Sequence, residues 1–279
     1  MIYKHFRPIF ELAPFIDSIW TISATAESAL TRKACMPADR RATLLVNFTG
    51  VSRMLASGGE THYIDTGATL LGAHSQSYIL EHDGDSDLIS VQFRPGGLAP
   101  FIGSDAGELT GQAIPLNLLW GSASSSMCEQ IYEANGAVEK VALYQKALIG
   151  HFAEVQYQSL ILQSLEEIDF TQRHISVEQL AAQANLSQKQ FERVFERVVG
   201  IMPKRYIRLA RFQKLVSWLN RHAAVVNWAK LAARFGYYDH SHMAKDFQAF
   251  AGTTPGDFKI ATSGIVEVAY GKEGEPQEV

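Results

Sequence analysis

EQLAAQANLSQKQFERVFERVVGIMPKRY (residues 178–206) and AKLAARFGYYDHSHMAKDFQAFAGTTPGDF (residues 229–258) are one pattern written twice. In the first copy Ala181 and Asn185 precede Phe191, Phe195, Gly200, Pro203 and Tyr206; in the second Ala232 and Gly236 precede Met243, Phe247, Gly252, Pro255 and Phe258. From the first large apolar residue onward both copies step by four, five, three and three residues. A period of about 50 residues that also repeats Gly and Pro marks a duplicated supersecondary unit.

Working outward, Ser176-x-x-Gln179 and Ser187-x-x-Gln190 each match a capping box, in which the hydroxyl and the Gln side chain satisfy backbone N–H groups at a helix start. They predict one helix from Val177 to about Ala184 and a second whose Phe191, Phe195 and Val198 share a buried face. Asn185 and Gly236 fall where each copy turns between its helices, and Asn and Gly most readily take a left-handed backbone. The outward faces carry Gln188, Lys189, Glu192, Arg193 and Arg197 in the first copy, and His240, Ser241, Ala244, Lys245 and Gln248 after the Asp239 cap in the second. Amide, cationic and hydroxyl groups of this kind suit base edges and phosphates in a major groove. Between the copies Pro203 opens a helix of about 17 residues, about 26 Å long, with an apolar stripe of Leu209, Phe212, Val216 and Leu219. Its Lys204, Arg205, Arg208, Arg211 and Lys214 are expected to form a basic stripe toward phosphates. Such a rod is suited to hold two reading helices about one DNA turn, roughly 34 Å, apart.

The net charge of -4 hides a division along the chain. Residues 171–260 hold 14 Lys and Arg against 6 Asp and Glu, leaving 11 basic and 23 acidic residues elsewhere. One part is thus fitted to a polyanion and the other to something else. No apolar run long enough for a membrane span and no signal-peptide core are present, so a cytoplasmic protein is expected. Cys35 and Cys128 stand in no metal-ligand spacing and read as free thiols.

Up to about residue 120 short apolar runs such as Thr43-Leu44-Leu45-Val46-Asn47-Phe48 and Leu88-Ile89-Ser90-Val91-Gln92-Phe93 alternate with Gly and Asp turn clusters, the signature of an antiparallel barrel or sandwich. From about Ser124 the period becomes helical: Met127, Ile131 and Tyr132, then Val138, Val141, Leu143, Tyr144, Leu148 and Phe152, with Asn135-Gly136 separating a helix pair. Those helices either cover the barrel or form a dimer contact. After Phe258 the tail is acidic and Gly-rich, with one strand expected at Ile265 to Tyr270 and disorder over the last residues.

Residues 171–260 resemble the DNA-binding domain of the AraC/XylS transcriptional regulators. The resemblance rests on Ala181 with Phe191-x-x-x-Phe195 and Gly200-x-x-Pro203, and above all on Ala232-Ala233-Arg234-Phe235-Gly236-Tyr237-Tyr238-Asp239-His240-Ser241-His242-Met243 leading to Phe247, Gly252, Pro255 and Phe258. It implies that both outward helix faces enter adjacent major-groove segments, selecting Lys189, Glu192 and Arg193, and His240, Ser241, His242 and Lys245. Met243 stands where the family usually has an aromatic residue, and Asn185 where Gly is more frequent. The N-terminal part, through Phe93-Arg94-Pro95-Gly96-Gly97-Leu98 and Met36-Pro37, is similar to the cupin-like sensory domains of such regulators.

The expected architecture is therefore α+β: a cupin-like antiparallel β-barrel with flanking helices over residues 1–155, an all-α domain of two helix-turn-helix motifs joined by a long helix over 156–260, and an acidic tail over 261–279. The function expected is sequence-specific transcription regulation under a small effector or dimerisation. Candidate DNA-binding residues are Gln188, Lys189, Glu192, Arg193, Arg197, His240, Ser241, His242 and Lys245, with no catalytic residue, metal or cofactor. Candidate partners are double-stranded DNA, a small-molecule effector, RNA polymerase and a second copy in a homodimer, with no membrane. The alternative is an enzyme whose barrel is catalytic and whose helical half docks it. His62, His74 and His82 with Glu81 lack the close His-x-His pairing of a metal cupin, no nucleophile elbow, P-loop or dinucleotide fingerprint is present, and Arg94-Pro95-Gly96-Gly97 reads as a tight turn before an anion cradle.

Overall fold

The computed structural model describes residues 2–25, 33–56, 59–170, 175–221 and 227–258. The strand expected at Ile265 to Tyr270, the acidic tail and the 171–174 segment lie outside them. The N-terminal part is an eight-stranded sheet of β1 (Ile2–Phe6), β2 (Ile16–Ala24), β3 (Lys33–Met36), β4 (Thr43–Ala56), β5 (Thr61–Ile64), β6 (Gly67–Leu71), β7 (Tyr78–Phe93) and β8 (Ala113–Pro115). Its path is β1-β2-β7-β4-β6-β8, with β3 added to β7 and β5 to β4, and the pairs are antiparallel.

The period-two alternation fixes which face is core. Leu44 and Val46 of β4 pair with Val91 and Ile89 of β7, and these four residues pack with Ile19, Leu70 and Phe93. Above that face lie α1 (Asn117–Trp120), α2 (Ser122–Glu133) and α3 (Gly136–Gly150), which contribute Trp120, Met127, Ile131, Val141, Tyr144 and Leu148. The buried Tyr144 hydroxyl donates to the Leu44 carbonyl at 2.8 Å, so the helix pair covers the sheet. Tyr132, about 100° around α2 from the buried Ile131, and Val138, in the first turn of α3, face solvent although they share the apolar period. The opposite sheet face, with Leu45, Thr69 and Ser90 side by side, is also buried.

The helical part comprises α4 (Gln158–Phe170), α5 (Val177–Gln183), α6 (Gln188–Val199), α7 (Pro203–Arg221), α8 (Trp228–Arg234) and α9 (His240–Ala251). One continuous core runs through both copies of the motif: Phe191 and Phe195 of α6, Tyr206 and Phe212 of α7, and Met243, Phe247 and Phe250 of α9 are all fully enclosed. α4 joins this core through Ile161, Leu165 and Ile168. The connecting helix has 19 residues and rises about 28 Å, close to the expected length.

The two parts are packed on each other, and Ala38, Ala73 and Ala99 of the N-terminal part enter the helical core. Arg40 reaches across to donate to the Asp169 carboxylate and, at 2.8 Å, to the Tyr206 hydroxyl, with its guanidinium 5.1 Å from the Tyr206 ring centroid. Arg94-Pro95-Gly96-Gly97 is part of this seam. Gly97 N–H returns to the Arg94 carbonyl, the Gly96 carbonyl accepts from Gln158, and Gly96 lies against Leu162, Leu165 and Val198. The turn therefore serves packing, as the tight-turn reading expects.

Candidate nucleic-acid interface

Each copy of the motif is shaped by its own local chemistry. Ser176 accepts from Gln179 N–H while the Gln179 side chain accepts from Ser176 N–H, and Ser187 and Gln190 repeat the reciprocal pair at the start of α6. In the second copy Asn227 caps α8 by accepting from Lys230 N–H at 3.0 Å, and Asp239 caps α9 by accepting from His242 N–H at 2.7 Å. The turns match bond for bond. Asn185 and Leu186 N–H donate to the Ala182 and Ala181 carbonyls; Gly236 and Tyr237 N–H donate to those of Ala233 and Ala232. Asn185 has φ +53° and Gly236 φ +71°, the left-handed geometry that makes the sharp reversal.

On α6, Gln188, Lys189, Arg193 and Arg197 are exposed and Glu192 is half-buried. Gln188 donates to Glu192 at 2.9 Å, so two of the candidate readers already hold each other. Among the described residues neither Lys189 nor Arg193 is paired with a carboxylate. Arg197, at the last turn, instead lies 3.8 Å from Asp105 of the N-terminal part. There the helix ends against that part: Gly200 has φ +89°, its carbonyl accepts from the Thr110 hydroxyl, and a Cβ on it would stand 3.0 Å from the Ala106 carbonyl oxygen.

On α9, His240, Ser241, Lys245 and Gln248 are exposed. His242 is placed differently. Its ring is half-buried, edge-on to Tyr237 with centroids 5.4 Å apart, while Nδ1 accepts from Tyr238 N–H and Nε2 lies 3.4 Å from Arg211 Nη2. Asp246, fully buried in the middle of α9, accepts from Arg208 Nη2 at 2.6 Å and lies 3.4 Å from Arg211 Nη2.

The basic stripe expected on α7 is largely turned inward. Arg205 donates to the Ser75 carbonyl at 2.6 Å, Arg208 and Arg211 serve Asp246, and Lys214 donates to the Ile168 carbonyl at 3.0 Å; Lys204 remains exposed. The reason is geometric: a helix running between two packed motifs has little free circumference, and a long cation laid against protein takes a protein acceptor. Burial lowers the pKa of Lys214 below its ordinary value, with Asp169 opposing the shift.

The histidines of the N-terminal part do not converge. His82 bonds the Ser52 hydroxyl and the Asp85 carbonyl, His74 packs edge-on to Tyr78, and His62 lies 3.9 Å from Glu60. Among the described residues no group of three His, Cys, Asp or Glu side chains is arranged to hold a metal ion, and no helix is long and apolar enough to cross a membrane.

A family model described as a helix-turn-helix domain matches residues 180–260, and one described as a domain of unknown function matches residues 4–115. No curated protein matches the chain. Among solved structures, ToxT from Vibrio cholerae bound to (E)-4-(8-methylnaphthalen-1-yl)but-3-enoic acid is 11% identical with a TM-score of 0.45, covering 91% of this chain and 95% of that one. A crystal form of ToxT solved at 1.65 Å is 10% identical with a TM-score of 0.41, again over 91% of this chain and 95% of that one. The AraC-like transcriptional activator CuxR is 14% identical with a TM-score of 0.26, covering 76% of this chain and 86% of that one.

Proposed function

We infer that this chain, whose C-terminal domain is a helix-turn-helix domain of the AraC type and which is thereby a DNA-binding transcription regulator, reads its operator with α6 and α9 in adjacent major-groove segments. The observation that carries the reading is the pair of helices, each started by a side chain that accepts from the third backbone N–H and each entered through the same left-handed turn, both built on one core, each with a free polar face. Gln188, Lys189, Glu192 and Arg193 are the proposed readers of one segment, and His240, Ser241 and Lys245 those of the other; Arg197 borders the first face, and His242, half-buried, lies behind the second. Protein-bound genomic fragments should share one bipartite motif of two segments about 10 base pairs apart. Fragments without a common motif would refute sequence-specific reading.

The N-terminal part is proposed as the regulatory half, taking a small-molecule effector rather than performing catalysis. Its buried inner face supports this: Ser90 is wholly enclosed with its hydroxyl unbonded, and Asn47 Oδ1 is likewise buried without a donor among the described residues. Such groups suit a small ligand carrying complementary polar atoms. Homodimer formation is supported by the solvent-facing Tyr132, Val138 and Ile149 of α2 and α3. As a transcription regulator the chain is assigned to the cytoplasm, with RNA polymerase proposed as a further partner. A metabolite panel screened for a rise in melting temperature and a change in operator affinity tests the effector role.

A further inference from the structure

The two copies of the motif differ at one buried position. Phe191 and Phe195 of α6 correspond to Met243 and Phe247 of α9, which places Val194 opposite Asp246. Both are buried, yet one is an aliphatic side chain and the other a carboxylate with no exposed surface. A charge there needs charged donors, and α7 supplies them: Arg208 through Nε and Nη2 to Oδ1 at 3.1 and 2.6 Å, and Arg211 Nη2 at 3.4 Å from Oδ2. Arg211 does more than neutralise. Its Nη1 donates to the Gly236 carbonyl in the turn at 3.1 Å, its guanidinium stands 4.3 Å from the Tyr237 ring centroid, and its Nη2 faces His242 Nε2 at 3.4 Å. One cation therefore touches the turn, the residue after it, the first turn of α9 and the middle of α9. Among the described residues the first motif has no counterpart: Gln190, which corresponds to His242, closes the capping box with Ser187.

We propose that Asp246, Arg211 and His242 form a positioning device that sets how α9 presents His240, Ser241 and Lys245, and that His242 is a positioning residue rather than a base reader. A buried ion pair returns little net stability against a well-packed apolar pair, because desolvation of both charges offsets their attraction. Fixing one geometry is what such a pair supplies that Val194 does not. Arg208 gives Oδ1 two donors, and Arg211 spans the Asp246 carboxylate and the Gly236 carbonyl with its two Nη groups; both uses need the rigid planar fork that an ammonium lacks. The proposal rests on α9 being the second reading helix, and the test separates the two.

The test uses the full chain on a duplex selected by binding, with every base pair of both segments substituted in turn, so that discrimination is resolved position by position. Lys245→Ala is expected to lower discrimination at one or two base pairs of the α9 segment, each worth roughly 5- to 150-fold in the parent protein. His242→Ala, Arg211→Lys and Asp246→Asn are expected to flatten discrimination across all α9 positions while the α6 segment keeps its full profile. The effects of His242→Ala and Asp246→Asn should also fail to multiply when combined. Unchanged discrimination in the α6 segment certifies the fold of each variant. Should Asp246→Asn unfold, the conservative Arg211→Lys with His242→Ala carries the comparison. If His242→Ala erases discrimination at a single base pair and leaves its neighbours intact, His242 reads a base and the proposal is overturned. If Arg211→Lys and Asp246→Asn leave the profile unchanged, it is overturned as well. A profile with no α9 segment at all, in the parent protein, would instead refute the reading beneath it.

Discussion

Ala38 N–H donates to the Phe250 carbonyl at 2.7 Å, so the N-terminal part holds the last turn of α9 by its backbone. The end of α6 is held by a side chain instead: the Thr110 hydroxyl donates to the carbonyl of its C-cap, Gly200. Helix C-termini end in unsatisfied carbonyls, and at both reading helices one of them is satisfied by the other half of the molecule.

Gly200→Ala is expected to destabilise the protein by about 2–4 kcal/mol, since a left-handed backbone costs an L-residue about 1–2 kcal/mol and the new methyl would also press on the Ala106 carbonyl. Gly236→Asn should cost less than about 1 kcal/mol, because nothing lies within 4 Å of that site and Asn185 already occupies the matching turn. Urea unfolding of the two variants checks the ranking; equal losses would contradict the seam at Gly200.

The salt dependence of operator binding should separate free from engaged cations. Lys189→Gln is expected to reduce the slope of log affinity against log salt by about 1 if this exposed cation also meets a phosphate at the edge of its segment, whereas Lys214→Met should leave it unchanged. Binding titrations between about 50 and 200 mM salt measure both. An equal drop for Lys214→Met would mean that α7 meets DNA after all.

Arg193→Ala should weaken operator binding by about 1–3 kcal/mol and relax preference at one position if it meets a base. The same loss on random duplexes would reassign it to a phosphate. Competition binding against both kinds of DNA decides.

Single removal of Asp169, as Asp169→Ala, is expected to cost about 1–3 kcal/mol, because Arg40 keeps its charge in a mostly enclosed site; the exposure of the pair, 17% and 31%, discounts the larger cost of a fully buried one. The double replacement Arg40→Leu with Asp169→Leu should recover most of that. Chemical unfolding of these variants, with Arg40→Leu and Asp169→Leu alone completing the cycle, gives the coupling.

Stability should fall as pH drops below about 6.5. Burial holds the His74 imidazole below its ordinary pKa, against the opposing pull of Asp39. Between the two values the unfolded chain binds a proton that the folded one refuses, so the contribution is complete above about 6.5 and declines as pH falls toward the folded value. Replacement by Phe, with its ring kept beside Tyr78, should flatten the melting temperature between about pH 7.5 and 5.5. An unflattened curve would place the proton elsewhere.

Features fixed within a few residues are legible in the sequence itself: the two capping boxes, the Asn185 and Gly236 turns, and the buried Phe191, Phe195, Met243 and Phe247. The inward turn of the α7 cations is not, because their acceptors are remote along the chain. Asp246 lies 38 residues from Arg208, and Ser75 lies 130 from Arg205. His242 is a related case: it sits on the helix face that the family resemblance selects, and its packed neighbours Arg211 and Tyr237 draw it inward. The second, buried face of the sheet is equally hidden, since alternation says which residues share a face but not what closes over it.

The shared core of the two motifs has a consequence for the DNA. Inserting one base pair between the segments would turn one of them by about 35° and move it about 3.4 Å along the axis. Tyr206, edge-on to Phe195 of α6, and Phe212, packed on Phe247 and Phe250 of α9, lie six residues apart on one helix and leave no slack with which the protein could follow. The operator is thus measured as with a fixed caliper: this regulator should forgive a changed letter more readily than a changed length.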